Sequence, residues 1–151
     1  MTRSLASDLD INVREALPVD AERIAVLCIQ LGYDVPLAHV ERTLRRRNAD
    51  NEVFVAIATR VGVIGWIGVN LIESLTSSRI GHIGGLVVED EYRGVGVGEL
   101  LLNRAEGWTR DHGCSTLALR SNVIRERAHG FYERHGFIRK KSQHYYEKPL
   151  T

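Results

Sequence analysis

The chain predicts an α/β fold of the α+β kind: one domain with a mixed, mostly antiparallel central sheet flanked by helices. Three observations lead there. Apolar residues recur at helical spacing in several stretches. Between them lie runs rich in Val, Ile and Phe that suit strands. Glycine and proline punctuate each change of period. With 151 residues, 44% of them apolar, the chain has material for one domain with its own core.

The elements follow in order. Residues 1–9 read as a loose leader, and residues 10–151 as the domain. Ile11 to Ala16 suits a short strand. Pro18 and Asp20 start a helix, with Asp20 at the N-cap. Ala21, Ile24, Ala25, Cys28 and Leu31 form its apolar stripe, and Gly32 stops it. Pro36 restarts a helix whose stripe is Leu37, Val40 and Leu44. Glu52 to Thr59 and Val61 to Ile72 read as strands joined by a turn at Arg60 to Gly62. Ser77 and Ser78 mark another turn. Arg79 to Val88 is a third strand of this set, interrupted by Gly84 and Gly85; paired glycines there suggest a bulge or the close approach of another backbone. Val97, Leu100, Leu101, Ala105 and Trp108 share one face of a long helix ending near Gly113. Ser115 to Ser121 is a strand. Ala128, Phe131, Tyr132 and His135 form a helical stripe closed by Gly136, and Phe137 to Lys148 reads as a last, long strand. The order is β-α-α-β-β-β-α-β-α-β.

Bulk properties narrow the function. A net charge of +1 gives no general pull towards nucleic acid or membrane. The local clusters Arg42, Arg45, Arg46 and Arg47, and Arg139, Lys140 and Lys141, read as solvated faces. Cys28 and Cys114 are too few for a disulfide scaffold and sit in apolar settings, which predicts buried thiols and a cytoplasmic protein. The first ten residues lack an apolar signal core, and the apolar runs are too short to cross a membrane. His129, His135 and His144 show no metal-ligand spacing, so no metal is expected.

The most informative stretch is Glu91-Tyr92-Arg93-Gly94-Val95-Gly96-Val97-Gly98-Glu99, which leaves a strand and opens a helix. Missing Cβ atoms let a ligand reach the backbone, successive N–H groups can converge, and a helix N-terminus adds positive potential. Phosphate oxygens suit such a place. The dinucleotide fingerprint fails, because Glu99 or Leu101 stands where its last glycine belongs, and no Gly-Lys-Ser/Thr follows to make a P-loop.

Arg93-x-x-Gly96-x-Gly98 resembles the acyl-CoA loop of the GNAT (GCN5-related N-acetyltransferase) family. Gly85-Leu86-Val87-Val88 is similar to that family's splayed strand. Ser121-Asn122, Ala128 and Phe131-Tyr132-Glu133-Arg134-His135-Gly136-Phe137 are similar to its closing segment. The element order matches as well, so the resemblance covers nearly the whole chain, with the specific motifs between Gly85 and Phe137.

The resemblance implies an acetyltransferase domain over residues 10–151, acetyl-CoA as co-substrate and no metal. The N–H groups of Arg93, Gly94, Val95, Gly96, Val97 and Gly98 would hold the pyrophosphate. Leu86, Val87 and Val88 would take the pantetheine arm, Leu86 and Val88 through their backbones, and Asn122 would reach the pantetheine or adenine side. Tyr132 would be the general acid for the departing thiolate. His82 stands where some relatives carry a glutamate base; it departs from that pattern, although imidazole chemistry suits the task. Other relatives use a water chain. Glu73, at a strand end, is the other candidate for the base and, with Tyr33, would face the acceptor. The partner implied is a small-molecule or peptide amine, with neither nucleic acid nor membrane involved. A homodimer is expected too, with Tyr145 and Tyr146 of the last strand at an edge or interface. A non-catalytic acyl-CoA sensor is the alternative function, and retention of Tyr132 argues against it.

Overall fold

The computed structural model describes residues 10–151. The leader expected at residues 1–9 lies outside them. The chain divides into two compact units, the second of which is Arg120–Thr151.

In the first unit, β1 (Ile11–Glu15), β2 (Asn51–Ala58), β3 (Gly62–Ser74), β4 (Ser77–Val88) and β5 (Leu117–Leu119) form one sheet in sequence order. The first three pairings are antiparallel, and β4 with β5 is parallel. Helices α1 (Ala21–Gln30) and α2 (Leu37–Arg45) cover one face, where Ile24, Leu27, Val40 and Leu44 meet Val55, Val63 and Val87. Helix α3 (Val97–Asp111) covers the other, burying Leu101, Leu102 and Ala105. Each fully buried leucine or isoleucine contributes about 2 kcal/mol of apolar burial. Where the layers touch, small residues are required. A Cβ on Gly81 would lie 2.6 Å from Thr109 of α3, and one on Gly65 would lie 2.9 Å from the Val87 carbonyl.

Asp20 does not cap α1 as expected. Its carboxylate reaches back to accept the Leu17 N–H at 2.7 Å and a two-pronged ion pair from Arg14 at 2.7 and 3.0 Å. A single turn of 3-10 helix, Pro18–Asp20, precedes α1, and Asp20 as its third residue takes the N–H of that turn's own N-cap residue, Leu17. The β3–β4 turn falls at residues 75–76 rather than at Ser77 and Ser78, which are already in β4; Ser74 Oγ accepts the Thr76 N–H at 3.3 Å and closes it. Cys28 and Cys114 are buried free thiols, as expected.

Helix stops follow the glycines. After α1 the Tyr33 N–H donates to Cys28 O (3.0 Å) and the Gly32 N–H to Ile29 O (3.0 Å); Cys114 and Gly113 repeat the pattern on Thr109 and Arg110 after α3.

The second unit holds one helix, α4 (Glu126–Arg134). The strand expected at Phe137–Lys148 is absent. A strand needs a partner for its N–H and C=O groups. Within this unit the only regular element is a helix, which offers no edge. Ile138, Tyr145, Tyr146 and Leu150 stand exposed.

Candidate active site

The sheet opens beside β4. The β4–β5 ladder covers only Gly81 to Ile83 against Leu117 to Leu119. Antiparallel pairing with β3 continues to Val88, so residues 84–88 have one paired edge and one without β5. The Glu89 N–H donates to Ile64 O at 2.8 Å, towards β3. Strand alternation therefore turns the N–H and C=O groups of Leu86 and Val88 to the opposite edge. Val87 points its side chain into the core under α1 and α2.

The expected bulge lies here. Gly68 pairs with Gly85 while Val69 pairs with Ile83, which leaves Gly84 as the extra residue. What approaches Gly85 is an indole ring and not another backbone: a Cβ there would lie 2.6 Å from Trp66 Cη2. Gly68 also lies beneath that ring. Trp66 Nε1 is buried and makes no hydrogen bond among the described residues. This packing of Trp66 was not readable in the sequence, because its signal is a cross-strand pairing of an aromatic with glycines two positions along.

From β4 the chain makes a 3-10 turn, Asp90–Tyr92, and enters the glycine loop. Gly94 (φ 80°) and Gly96 (φ 96°) are left-handed, a conformation that costs any L side chain about 1–2 kcal/mol. Gly96 is the N-cap of α3, and no side chain caps the helix. Alternating left-handed residues before an uncapped helix form a concave set of N–H donors, which fits a diphosphate. The Arg93 N–H is donated to Asp90 O (3.3 Å), so it serves the preceding turn. The Arg93 side chain braces the loop, donating to Val88 O (3.0 Å) and pairing with Asp90 (3.0 Å). A further tie, absent from the sequence reading, comes from Arg23 of α1. It donates to Val63 O and pairs with Glu89 at 2.9 Å, which links α1 to the start of the loop.

His82 sits on β4 directly opposite Asn70 of β3, with Nδ1 3.4 Å from Asn70 Oδ1. Glu73 lines a polar hollow with Asp50, Leu71 and Arg79. Tyr33 is 63% exposed just beyond α1. Among the described residues no group of three His, Cys, Asp or Glu is placed to hold a metal ion, and no helix is long and apolar enough to cross a membrane.

The second unit carries the closing motif. Asn122 Oδ1 accepts the Ile124 N–H (3.1 Å), and Asn122 O accepts the Arg125 N–H (3.0 Å), so this residue builds the turn into α4. Tyr132 stands between Phe131 (ring centroids 5.5 Å apart) and Phe137 (5.8 Å). After α4 the Phe137 N–H donates to Tyr132 O (3.0 Å) and the Gly136 N–H to Glu133 O (3.2 Å). The Gly-Phe pair of the motif is therefore the helix stop that seats Phe137 against Tyr132. Burial raises the Tyr132 pKa above the usual tyrosine value, against the pull of the Arg125 charge. The phenol stays protonated at neutral pH and holds a proton to give.

The family model described as "Acetyltransferase (GNAT) family" matches residues 22–137, and the chain belongs to that family. It is an acetyl-CoA-dependent N-acetyltransferase. The chain is similar to the aminoglycoside N(6')-acetyltransferase type 1 of Stenotrophomonas maltophilia, 33% identical over 142 residues, covering 91% of this chain and 93% of that one. Its fold is similar to the aminoglycoside 6'-N-acetyltransferase AAC(6')-Ih of Acinetobacter baumannii (TM-score 0.81, 18% identity, 93% of this chain and 99% of that one). It is also similar to AAC(6')-Iy solved with the bisubstrate analogue CoA-S-monomethyl-acetylneamine (TM-score 0.79, 22% identity, 93% and 99%).

Proposed function

We propose that the chain acetylates a primary amine of a small aminosugar of the aminoglycoside class, by direct attack within a ternary complex. The observation that carries this reading is the 33% identity, over nine-tenths of both chains, with an aminoglycoside N(6')-acetyltransferase.

The N–H groups of the Gly94–Gly98 nest and the first turn of α3 hold the pyrophosphate of acetyl-CoA. The outward backbone groups of Leu86 and Val88 extend the sheet onto the pantetheine arm. Asn122 orders the turn before α4. Tyr33 and Glu73 serve the acceptor, Glu73 through its charge. His82 takes a proton from the acceptor ammonium, and the freed amine attacks the thioester carbon. The tetrahedral intermediate collapses, and Tyr132 protonates the departing thiolate, whose acid has a pKa of about 8.5 as a free thiol. The buried free thiols suit a reducing cytoplasm, where acetyl-CoA is made. The exposed apolar residues Ile138, Tyr145, Tyr146 and Leu150 supply the contact of a homodimer.

The test is thiol release from acetyl-CoA over a panel of amines. Turnover should appear with aminoglycosides bearing a 6'-amine, and not with those bearing a 6'-hydroxyl, with polyamines or with peptides. Turnover confined to peptides would overturn the acceptor class. Tight CoA binding without turnover on any amine would make the chain a sensor.

A further inference from the structure

We propose that Arg23 of α1 is a positioning residue for acetyl-CoA: it holds Glu89 at the exit of β4 and neutralises that carboxylate beside the seat of the anionic cofactor. This rests on the reading of residues 86–98 as the acetyl-CoA site. The Arg23 guanidinium makes three contacts. Nε and Nη2 both donate to Val63 O, at 3.2 and 3.1 Å, and Nη2 also donates to Glu89 Oε2 at 2.9 Å. A planar fork of donors can hold a carbonyl of one strand and a carboxylate at the end of the next.

Glu89 is where the open edge of β4 becomes the glycine loop. Its N–H donates to Ile64 O at 2.8 Å, and its carbonyl accepts the Tyr92 N–H at 2.9 Å, which closes the 3-10 turn. Its carboxylate does not cap that turn; it goes to Arg23 instead. The backbone of Glu89 is therefore fixed from β3 and its side chain from α1.

Charge gives the contact its consequence. Glu89, Asp90 and Glu91 set three acids in a row just ahead of a loop read as a diphosphate seat. Like charges repel, and they do so most where water screens them least. The Asp90 side chain is 70% exposed and pairs with Arg93, and Glu91 is exposed. The Glu89 side chain is 24% exposed, so its charge is the least screened of the three, and Arg23 is the cation that meets it. Without Arg23, an uncompensated negative charge stands at the entry to the anion seat. Without the Glu89 charge, Arg23 leaves a positive one there, which an anion tolerates. Both losses break one ion pair, yet they have opposite signs for the cofactor.

The experiment is an equilibrium titration of a set of variants with CoA. Arg23→Gln should raise the Kd for CoA about fivefold, the upper end of what a partly exposed ion pair supplies. Arg23→Lys keeps the charge but not the fork, and its Kd should stay within about twofold of wild type. Glu89→Gln breaks the same pair from the other side and should not raise the Kd. Adding Glu89→Gln to Arg23→Gln should bring the Kd back to within about twofold of wild type, because neighbouring sites are not additive. A wild-type Kd in Arg23→Gln overturns the proposal. So does a rise in Glu89→Gln equal to that in Arg23→Gln, or a double variant that fails to recover, since a mere brace between α1 and β4 would behave in those ways. A Kd in Arg23→Lys as high as in Arg23→Gln overturns it as well. If Gly96→Ala leaves CoA binding at wild type, it is the reading of the glycine loop that falls; if Gly96→Ala weakens CoA and Arg23→Gln does not, only the role of Arg23 falls.

Discussion

At the scale of single residues, the proposed chemistry turns on where protons sit. Tyr132 is held neutral by burial, which makes it a weaker acid than a free tyrosine but a reliable reservoir. Tyr132→Phe should lower kcat about a hundredfold, the low end of what a general acid supplies, and leave CoA affinity within about twofold. Steady-state kinetics beside a CoA titration would show it, and equal loss of both would remove the proton-donor role. Asp20 is the clearest structural charge. Burial opposes its ionisation, yet the Arg14 bonds and the Leu17 N–H outweigh burial, and its pKa lies below the usual carboxylate value. A depressed carboxylate pKa stabilises the fold above the unfolded value of about 3.9, and that stability is lost as pH falls through the folded pKa. Asp20→Asn should therefore destabilise the protein by about 2 kcal/mol at pH 7, and the gap from wild type should close in acid. Denaturant melts at pH 7 and in acid would check it; a gap that persists unchanged in acid would contradict it.

At the scale of elements, β4 carries more of the proposed site than any other segment. One strand supplies the base candidate, the bulge, the open edge and the entry to the glycine loop. Gly85→Ala would drive a methyl to 2.6 Å from the Trp66 ring. Overpacking of this kind costs about 1–3 kcal/mol and displaces the ring, so both melting temperature and kcat should fall. Unchanged values of both would show that the ring yields freely. Gly96→Ala should mainly raise KM for acetyl-CoA, because the N-cap must sit at φ 96° to aim the donors. A KM for acetyl-CoA left at wild type would remove the nest from the site. Much at this scale was legible in the sequence. Gly32, Gly113 and Gly136 marked the helix stops, and Gly84-Gly85 marked the bulge, because glycine reports local backbone demands directly. The pairings Trp66 with Gly85, Asn70 with His82 and Arg23 with Glu89 were not legible. They join residues 12 to 66 positions apart through strand register and helix packing, which no local pattern encodes.

At the scale of the whole molecule, the least legible segment was the last. Residues 137–148 have strand composition, yet a strand is a property of two chains' backbones, and its partner is not a matter of composition. If that segment serves a homodimer, size-exclusion chromatography with light scattering should give twice the chain mass, and charged replacements of Tyr145 and Tyr146 should give the monomer. A monomeric wild type would refute the dimer and leave the chemistry untouched. The family is shown by the match over residues 22–137, and the proposed acceptor class rests on similarity to an aminoglycoside N(6')-acetyltransferase. The most direct test is to incubate the protein with acetyl-CoA and an aminoglycoside bearing a 6'-amine, then locate the new acetyl group by mass spectrometry and NMR. One acetyl group per molecule is expected, on the 6' nitrogen. Unmodified drug with acetyl-CoA intact, or acetylation at another nitrogen, would contradict it.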